Sequence, residues 1–277
     1  MRVRAFAKIN LSLRVLGRRT DGYHELRTVF QAIALHDTLT VRRVKGSFHL
    51  TCSDPRLPVD LRNLVARAAD AVWKASGRRG DPEGVSIDLV KRIPIEAGLG
   101  GGSSDAAAAL RALATIWRVD TARIRSIAPT IGADVAYFLE GGTVLGLDRG
   151  DVLFPLADHA KAWVTLVIPA FGVSTAQAYG WFDQDRRRKR GRTPHPFFND
   201  LQQSVAARHP EIGRIVTALR RAGASLAAMS GSGSAVFGLF PSQAQATTAA
   251  EALATAHRRT IVTRTLTRAE CRRLAAK

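Results

Sequence analysis

Pro94-Ile95-Glu96-Ala97-Gly98-Leu99-Gly100-Gly101-Gly102-Ser103-Ser104-Asp105 runs without a break into Ala106-Ala107-Ala108-Ala109-Leu110. Four glycines in five positions strip side chains from a loop whose backbone must come close to something. The alanine run that follows has the highest helix propensity available, and Ser103, Ser104 and Asp105 stand where a helix N-cap belongs. A glycine loop opening a helix aims backbone N–H groups and the positive helix end at one point, which suits an anion such as a nucleotide phosphate. Two familiar phosphate loops do not fit. A Walker A loop ends in Gly-Lys-Ser/Thr, and Gly102 is followed by Ser103; G-x-G-x-x-G reads Gly98-x-Gly100 and then meets Ser103. The alternative is a glycine-rich turn without a ligand.

Outward from this loop, the N-terminal stretch alternates. Val3, Ala5, Ala7, Ile9, Leu11, Leu13 and Val15 share one parity, and Arg2, Arg4, Phe6, Lys8, Asn10, Ser12 and Arg14 share the other. A period of two predicts a long, half-buried strand or a strand with a bulge, with Lys8, Asn10 and Ser12 in a row on one surface. A strand is predicted over 26–35 and a hairpin around Gly46 from 37–45 and 48–52. The pattern continues with a helix over 63–75, a strand over 85–90, the helix after the glycine loop with Leu110, Leu113 and Trp117 as its core stripe, and a short helix from Thr121. Strands over 143–147 and 152–156 close the first half. The second half reads as a strand at 164–168, a helix over 174–182, an exposed charged loop over 183–196, and helices from Asn199 to Arg221. Strands at 226–229 and 235–240 then flank Ser230-Gly231-Ser232-Gly233, before a helix over 243–256 and a strand over 260–266. Strands and helices mixed in both halves predict an α+β fold, with a boundary giving 1–156 and 157–277.

Composition narrows the classes. The 277 residues are 46% hydrophobic and 6% aromatic, as expected of a globular chain. No apolar run approaches a membrane span, and Met1-Arg2-Val3-Arg4-Ala5-Phe6 has no signal-peptide core, so a cytoplasmic protein without a membrane partner is expected. Cys52 and Cys271 are the only cysteines, so neither a disulfide framework nor a cysteine metal site is indicated. The net charge of +18 is diffuse: the run from Asp183 to Arg192 has six Lys and Arg against two Asp, and most of the excess lies elsewhere. Such a charge suits nucleic acid or polyanionic small substrates. Without helix-turn-helix, zinc-finger or RNP patterns, nucleic acid is the weaker reading.

Two ionisable residues stand out. Lys8 lies on the first strand, where a lysine is ordinarily solvated. Asp134 is embedded in the apolar run Gly132-Ala133-Asp134-Val135-Ala136-Tyr137, where the plainer role is a helix N-cap. Beside an anion loop they suit phosphoryl transfer to an alcohol, which needs an acid to orient or deprotonate the hydroxyl and a cation to steady charge. No metal-ligand cluster is evident, so Mg2+ would arrive on the nucleotide.

Three segments together resemble the motifs of the GHMP kinases: Ala7-Lys8-Ile9-Asn10-Leu11, the glycine loop from Pro94 to Asp105, and Ser230-Gly231-Ser232-Gly233. Arg18-Arg19-Thr20-Asp21-Gly22-Tyr23-His24-Glu25-Leu26 resembles the branch whose acceptor is a cytidine-diphosphate-linked methylerythritol of the non-mevalonate isoprenoid route. Asn199-Asp200-Leu201 and Pro210-Glu211-Ile212 match in order. The resemblance implies a ribosomal-protein-S5-like N-terminal half, a ferredoxin-like C-terminal half, and ATP-dependent phosphorylation of that acceptor's 2-hydroxyl in the cleft between them. It implies Asp134 and Lys8 as catalytic residues and ATP phosphates wrapped by Pro94 to Ser104, with Gly231, Ser232 and Gly233 closing over them. It further implies Asn10 near the acceptor hydroxyl, Tyr23 and Phe30 stacked on cytosine with Phe197 as a further partner, and His24 on the base edge. A monomer or weak homodimer is expected. Other readings are a homoserine- or mevalonate-type kinase, or a basic nucleic-acid-binding protein on the same fold. Ala136 stands where the family commonly has proline, and Gln202 where it often has glutamate; neither removes a proposed chemical group.

Overall fold

The computed structural model describes residues 1–188 and 198–275. Phe197 and most of the basic run lie outside the described residues. The spine is an antiparallel ribbon of β1 (Arg2–Arg18) and β2 (His24–Ser47). Its register shifts between Phe6 and Ala7, Asn10 and Ser12, and Val15 and Gly17. The simple two-faced strand is therefore corrected. Val3 and Ala5 join one core with Leu39 and Val41, Ala7 and Ile9 another with Ile33 and Leu166, and Leu13 and Val15 a third with Val167 and Val205. The opposite parity is not solvated either, since Phe6, Lys8 and Asn10 are all buried. Protein covers both faces because the ribbon runs between two layers.

The expected hairpin at Gly46 does not form. β3 (His49–Cys52) is followed by α1 (Leu64–Ala75) and β4 (Glu83–Val90), and β3 pairs parallel to β4. β4 occupies the edge of β2 from Thr38 to Ser47. β3 can then join only on the far side of β4, through a helical crossover. Asn63 caps α1, its Oδ1 accepting from the Val65 N–H at 2.9 Å. α2 (Gly101–Trp117) buries Leu110, Leu113 and Trp117 as predicted, together with Ala106 to Ala109. It starts earlier than expected. Gly100, with φ 72°, holds the cap position, while Ser104 Oγ turns inward to donate to the Phe6 carbonyl at 2.6 Å. α3 (Thr121–Ile131), α4 (Val135–Glu140), β5 (Thr143–Asp148) and β6 (Val152–Pro155) complete this sheet, in the order β3-β4-β2-β5-β6 with β1 on β2.

The second sheet is β7 (Trp163–Pro169), β8 (Leu226–Met229), β9 (Val236–Phe240) and β10 (Arg258–Arg264), in the order β10-β7-β9-β8. α5 (Thr175–Arg188), α6 (Leu201–Arg208) and α7 (Pro210–Arg221) precede β8, and α8 (Gln243–Leu253) precedes β10. This β-α-β-β-α-β order is the ferredoxin-like arrangement. The loop expected over 183–196 is helical as far as Arg188. α9 (Arg268–Ala275), which periodicity did not reveal, returns to the first layer, where Ala275 packs near Phe6 and Ala32.

An ion cluster absent from the sequence reading ties this layer together. The Lys91 ammonium sits between Asp37 of β2 and Asp105 of α2, at 2.6 Å from Asp105, with all three side chains at most 6% exposed. Asp37 also accepts from the Ile93 N–H at 2.8 Å. Burial pushes the Asp105 carboxyl well above its ordinary value, and the Asp37 charge adds to this against the pull of Lys91. Burial opposes the Lys91 charge, but the two carboxylates outweigh it and raise its pKa. Lys91→Met strands two buried carboxylates and should cost about 3–5 kcal/mol in urea unfolding; a loss under 1 kcal/mol would show that the cluster is not structural.

Candidate active site

A cleft of 1070 Å³ opens between the two layers, with the glycine loop at its centre. The loop's geometry follows from its glycines. Gly98 and Gly100 both have φ 72° in the left-handed region. A Cβ on Gly98 would lie 2.1 Å from the Ser230 carbonyl oxygen, and one on Gly100 2.6 Å from the Phe138 ring. The loop is thereby pressed onto Ser230-Gly231, whose Ser230 Oγ donates to the Gly98 carbonyl at 2.9 Å. The Lys8 backbone N–H donates to the Leu99 carbonyl at 3.0 Å, pinning the loop to β1. Gly101, Gly102 and Ser103, the first turn of α2, then face the cleft with their N–H groups unpaired by the helix.

Lys8 and Asp134 converge beside this loop. Lys8 Nζ is 3.7 Å from Asp134 Oδ2, with side-chain exposures of 4% and 31%. The same ammonium donates to Asn10 Oδ1 at 2.7 Å and to the Gly98 carbonyl at 3.0 Å. Asn10 is itself oriented, because its Nδ2 donates to Thr28 Oγ1, which donates to the Ser12 carbonyl, each at 2.7 Å. Burial lowers the Lys8 pKa, and the Asp134 charge offsets part of this. Asp134 occupies the N-cap position of α4, yet its side chain makes no capping hydrogen bond. The plainer role is therefore unfilled, and the half-buried carboxylate lines the cleft.

The other expected residues divide. Tyr23 is 58% exposed at the cleft, with the Arg149 guanidinium carbon 5.4 Å from its ring centroid. His24 lines the same wall, bonded through Nε2 to Asp183 Oδ1 at 2.8 Å. Phe30 lines the cleft as well, but it is 2% exposed, packed 4.7 Å from the Tyr137 ring and 5.6 Å from Lys8 Nζ, so little of its ring is open for stacking. Ser104 is buried, its hydroxyl turned to the Phe6 carbonyl and away from the cleft. In the second loop Gly231 and Ser232 line the cleft, whereas the Cα of Gly233 faces the Met229 side chain, where a Cβ would sit 2.8 Å from its sulfur. Asn199 staples that loop by donating to the Met229 and Gly231 carbonyls, both at 2.8 Å. Gln202 Oε1 accepts from the Met229 N–H at 2.8 Å, a role a glutamate oxygen also fills.

Sequence reasoning missed both ends of the cleft. Beyond the loop, Leu57, Pro58, Leu64 and Leu89 form an apolar lobe that Arg62 and Asn63 also line; the only signal was a proline-bearing loop before a capped helix. On the other side Thr175, Tyr179 and Asp183 come from α5, where Tyr179, Phe182 and Asp183 have the spacing of one helix face. Among the described residues, no three His, Cys, Asp or Glu side chains gather to hold a metal ion.

Residues 63–142 match the GHMP kinases N terminal domain, and residues 188–259 match GHMP kinases C terminal. The chain is 44% identical over 263 residues to a 4-diphosphocytidyl-2-C-methyl-D-erythritol kinase of Solibacter usitatus, covering 86% of this chain and 80% of that one. It is 40% identical over 282 residues to the kinase of the same name from Moorella thermoacetica, covering 95% and 98%. A crystal structure of 4-(cytidine 5'-diphospho)-2C-methyl-D-erythritol kinase superposes with TM-score 0.80 at 36% identity over 96% of this chain and 99% of that one. A homoserine kinase from Cytophaga hutchinsonii shares the fold, with TM-score 0.68 at 20% identity over 96% and 95%. By motif, by fold and by relatedness along nearly its whole length, the chain belongs to the GHMP kinases, in the 4-diphosphocytidyl-2-C-methyl-D-erythritol kinase family.

Proposed function

We propose that the protein transfers the γ-phosphate of ATP directly to the 2-hydroxyl of 4-diphosphocytidyl-2-C-methyl-D-erythritol, without a phosphoenzyme. The observation that carries this reading is the meeting of Lys8 and Asp134 at 3.7 Å beside the glycine loop. The Asp134 carboxylate takes the proton of the acceptor hydroxyl as its oxygen bonds to the γ-phosphorus. The bond from that phosphorus to the β,γ-bridging oxygen breaks, and ADP leaves with those electrons. Little covalent work falls to the protein in such a transfer, so positioning and charge dominate. Lys8, fixed by Asn10 and the Gly98 carbonyl, holds its charge beside the carboxylate and the transferred group.

The triphosphate lies along Gly98 to Ser103. Gly102 supports this, because a Cβ there would meet only Leu64 Cδ1 at 3.7 Å and its φ is unexceptional. The protein's own packing therefore tolerates a side chain at a helical position where glycine costs about 1 kcal/mol, and close approach of a ligand accounts for its absence. The apolar lobe from Leu57 to Leu64 takes the adenine end, while Tyr23 and His24 meet the acceptor's cytosine. Mg2+ comes on the nucleotide, where it supplies charge neutralisation. Glu96, Ser103 and Asp134 bring oxygens to the phosphate end, enough for an ion held mostly by phosphate and water. The units 1–156 and 157–277 are supported by sheets that end at Pro155 and begin at Trp163. A cytoplasmic place is in keeping with the small-molecule chemistry, and no described helix is long and apolar enough to cross a membrane. A weak homodimer finds support in edge strand β6, whose Val152 and Phe154 are exposed, as is Leu156 just beyond it.

Asp134→Asn should lower kcat by at least about a thousandfold with ATP affinity within about threefold of wild type; near-normal turnover would remove Asp134 from its role. Because burial depresses the Lys8 pKa, its charge is lost at lower pH than an ordinary lysine's. The alkaline limb of kcat/KM should therefore fall below pH 10.5 and move upward in Lys8→Arg. Gly98→Ala should lower Tm and weaken ATP binding together, through its clash with the Ser230 carbonyl. Gly102→Ala should keep or raise Tm while weakening ATP binding; calorimetric titration separates the two.

A further inference from the structure

One face of α5 forms a socket around the His24 ring. Tyr179 stacks on the imidazole at 4.7 Å between centroids and 24° between planes, and Phe182 meets it edge-on at 6.5 Å. Asp183, the next residue of the same face, holds Nε2 through Oδ1 at 2.8 Å. The ring is 10% exposed, the carboxylate 26%, and both line the cleft. Among the described residues nothing bonds to His24 Nδ1. The phosphoryl-transfer chemistry uses neither Asp183 nor this bond.

A carboxylate only accepts hydrogen bonds, so in a neutral imidazole bonded to it the proton sits on Nε2 and Nδ1 becomes an acceptor. Stacking fixes the ring plane, and the carboxylate fixes which nitrogen carries hydrogen. We propose that Asp183 is a specificity-determining residue, locking His24 in the tautomer whose Nδ1 accepts from an exocyclic amino group and turns away a carbonyl oxygen. Cytosine carries such an amino group where uracil carries a carbonyl. The inference rests on the reading that His24 meets the acceptor's base. Mispairing there buries two acceptors against each other, which costs far more than a missing contact.

The test compares two acceptors that differ only in cytosine or uracil, in wild type and Asp183→Asn. The amide is isosteric but can turn either its oxygen or its NH2 toward Nε2, which releases the tautomer. Wild type should favour the cytosine acceptor in kcat/KM. Asp183→Asn should reduce that preference by about tenfold or more, mainly through KM for the cytosine acceptor. Nitrogen-15 NMR of the wild-type histidines should find the His24 proton on Nε2 and should show mixed tautomers in the variant. An unchanged cytosine preference in a variant with wild-type Tm, or a wild-type proton on Nδ1, overturns the proposal. Wild type phosphorylating neither acceptor overturns the proposed function itself, an outcome the NMR result keeps distinct.

Discussion

The buried ammonium of Lys8 is the constraint on which the site depends. A lysine side chain at 4% exposure costs several kcal/mol unless its charge and protons are met. Here they are met by Asn10 Oδ1 on the same strand, by the Gly98 carbonyl of the glycine loop and by the Asp134 carboxylate at the start of α4. One cation thus fixes three separate segments relative to one another. Displacing any of them leaves a buried charge short of a partner, so the arrangement enforces itself. The Phe30 ring, 5.6 Å from the nitrogen, adds a further weak attraction.

The glycine-loop end of the cleft is built differently, from backbone with few side-chain demands. Gly98 is needed because Ser230 is in the way, Gly100 because Phe138 is, and Gly231 because a Cβ there would lie 3.1 Å from the Gly98 carbonyl oxygen and 3.2 Å from Lys8 Nζ. Ser230 holds these loops from different layers in contact, and Asn199 and Gln202 brace the second of them. Donor groups fixed by the fold rather than by the ligand need no reorganisation when charge develops, which is where such sites gain most.

How much was legible follows the range of the interactions. The glycine loop, α2, the second-half strands and the βαββαβ order rest on local pattern, and the sequence displays them. Asp134 could be named because an acid in an apolar run breaks a local rule, whereas Lys8, ordinary on a strand by itself, stood out only beside the anion loop and in the motif resemblance. The Gly46 hairpin failed because pairing of β3 depends on which strand claims the β2 edge first, information carried by residues 83–90. Phe30 looked like a platform beside Tyr23 and His24, but Tyr137 reaches it from a helix that local pattern cannot orient. The Lys91 cluster and the His24 socket join residues 54 and 159 positions apart, and no periodicity reports such meetings.

The first strand shows why a simple alternation could be right in detail and wrong in consequence. A straight run of ten steps from Lys8 to Arg18, the cross-strand partner of His24, spans about 33 Å, yet Lys8 and His24 line one cleft. Two of the three register shifts lie within that run, where bulges bend a strand and sharpen its twist. Between them the Leu13 N–H donates to the Phe198 carbonyl at 2.7 Å and the Leu13 carbonyl accepts from the Asp200 N–H at 2.9 Å, so the outer edge of β1 is claimed there by the second layer. The bend is thus held by the same segment whose Asn199 staples the second loop. Curvature that brings Lys8 and His24 to one cleft, and the seating of the Ser230 loop against the glycine loop, share one anchor on β1.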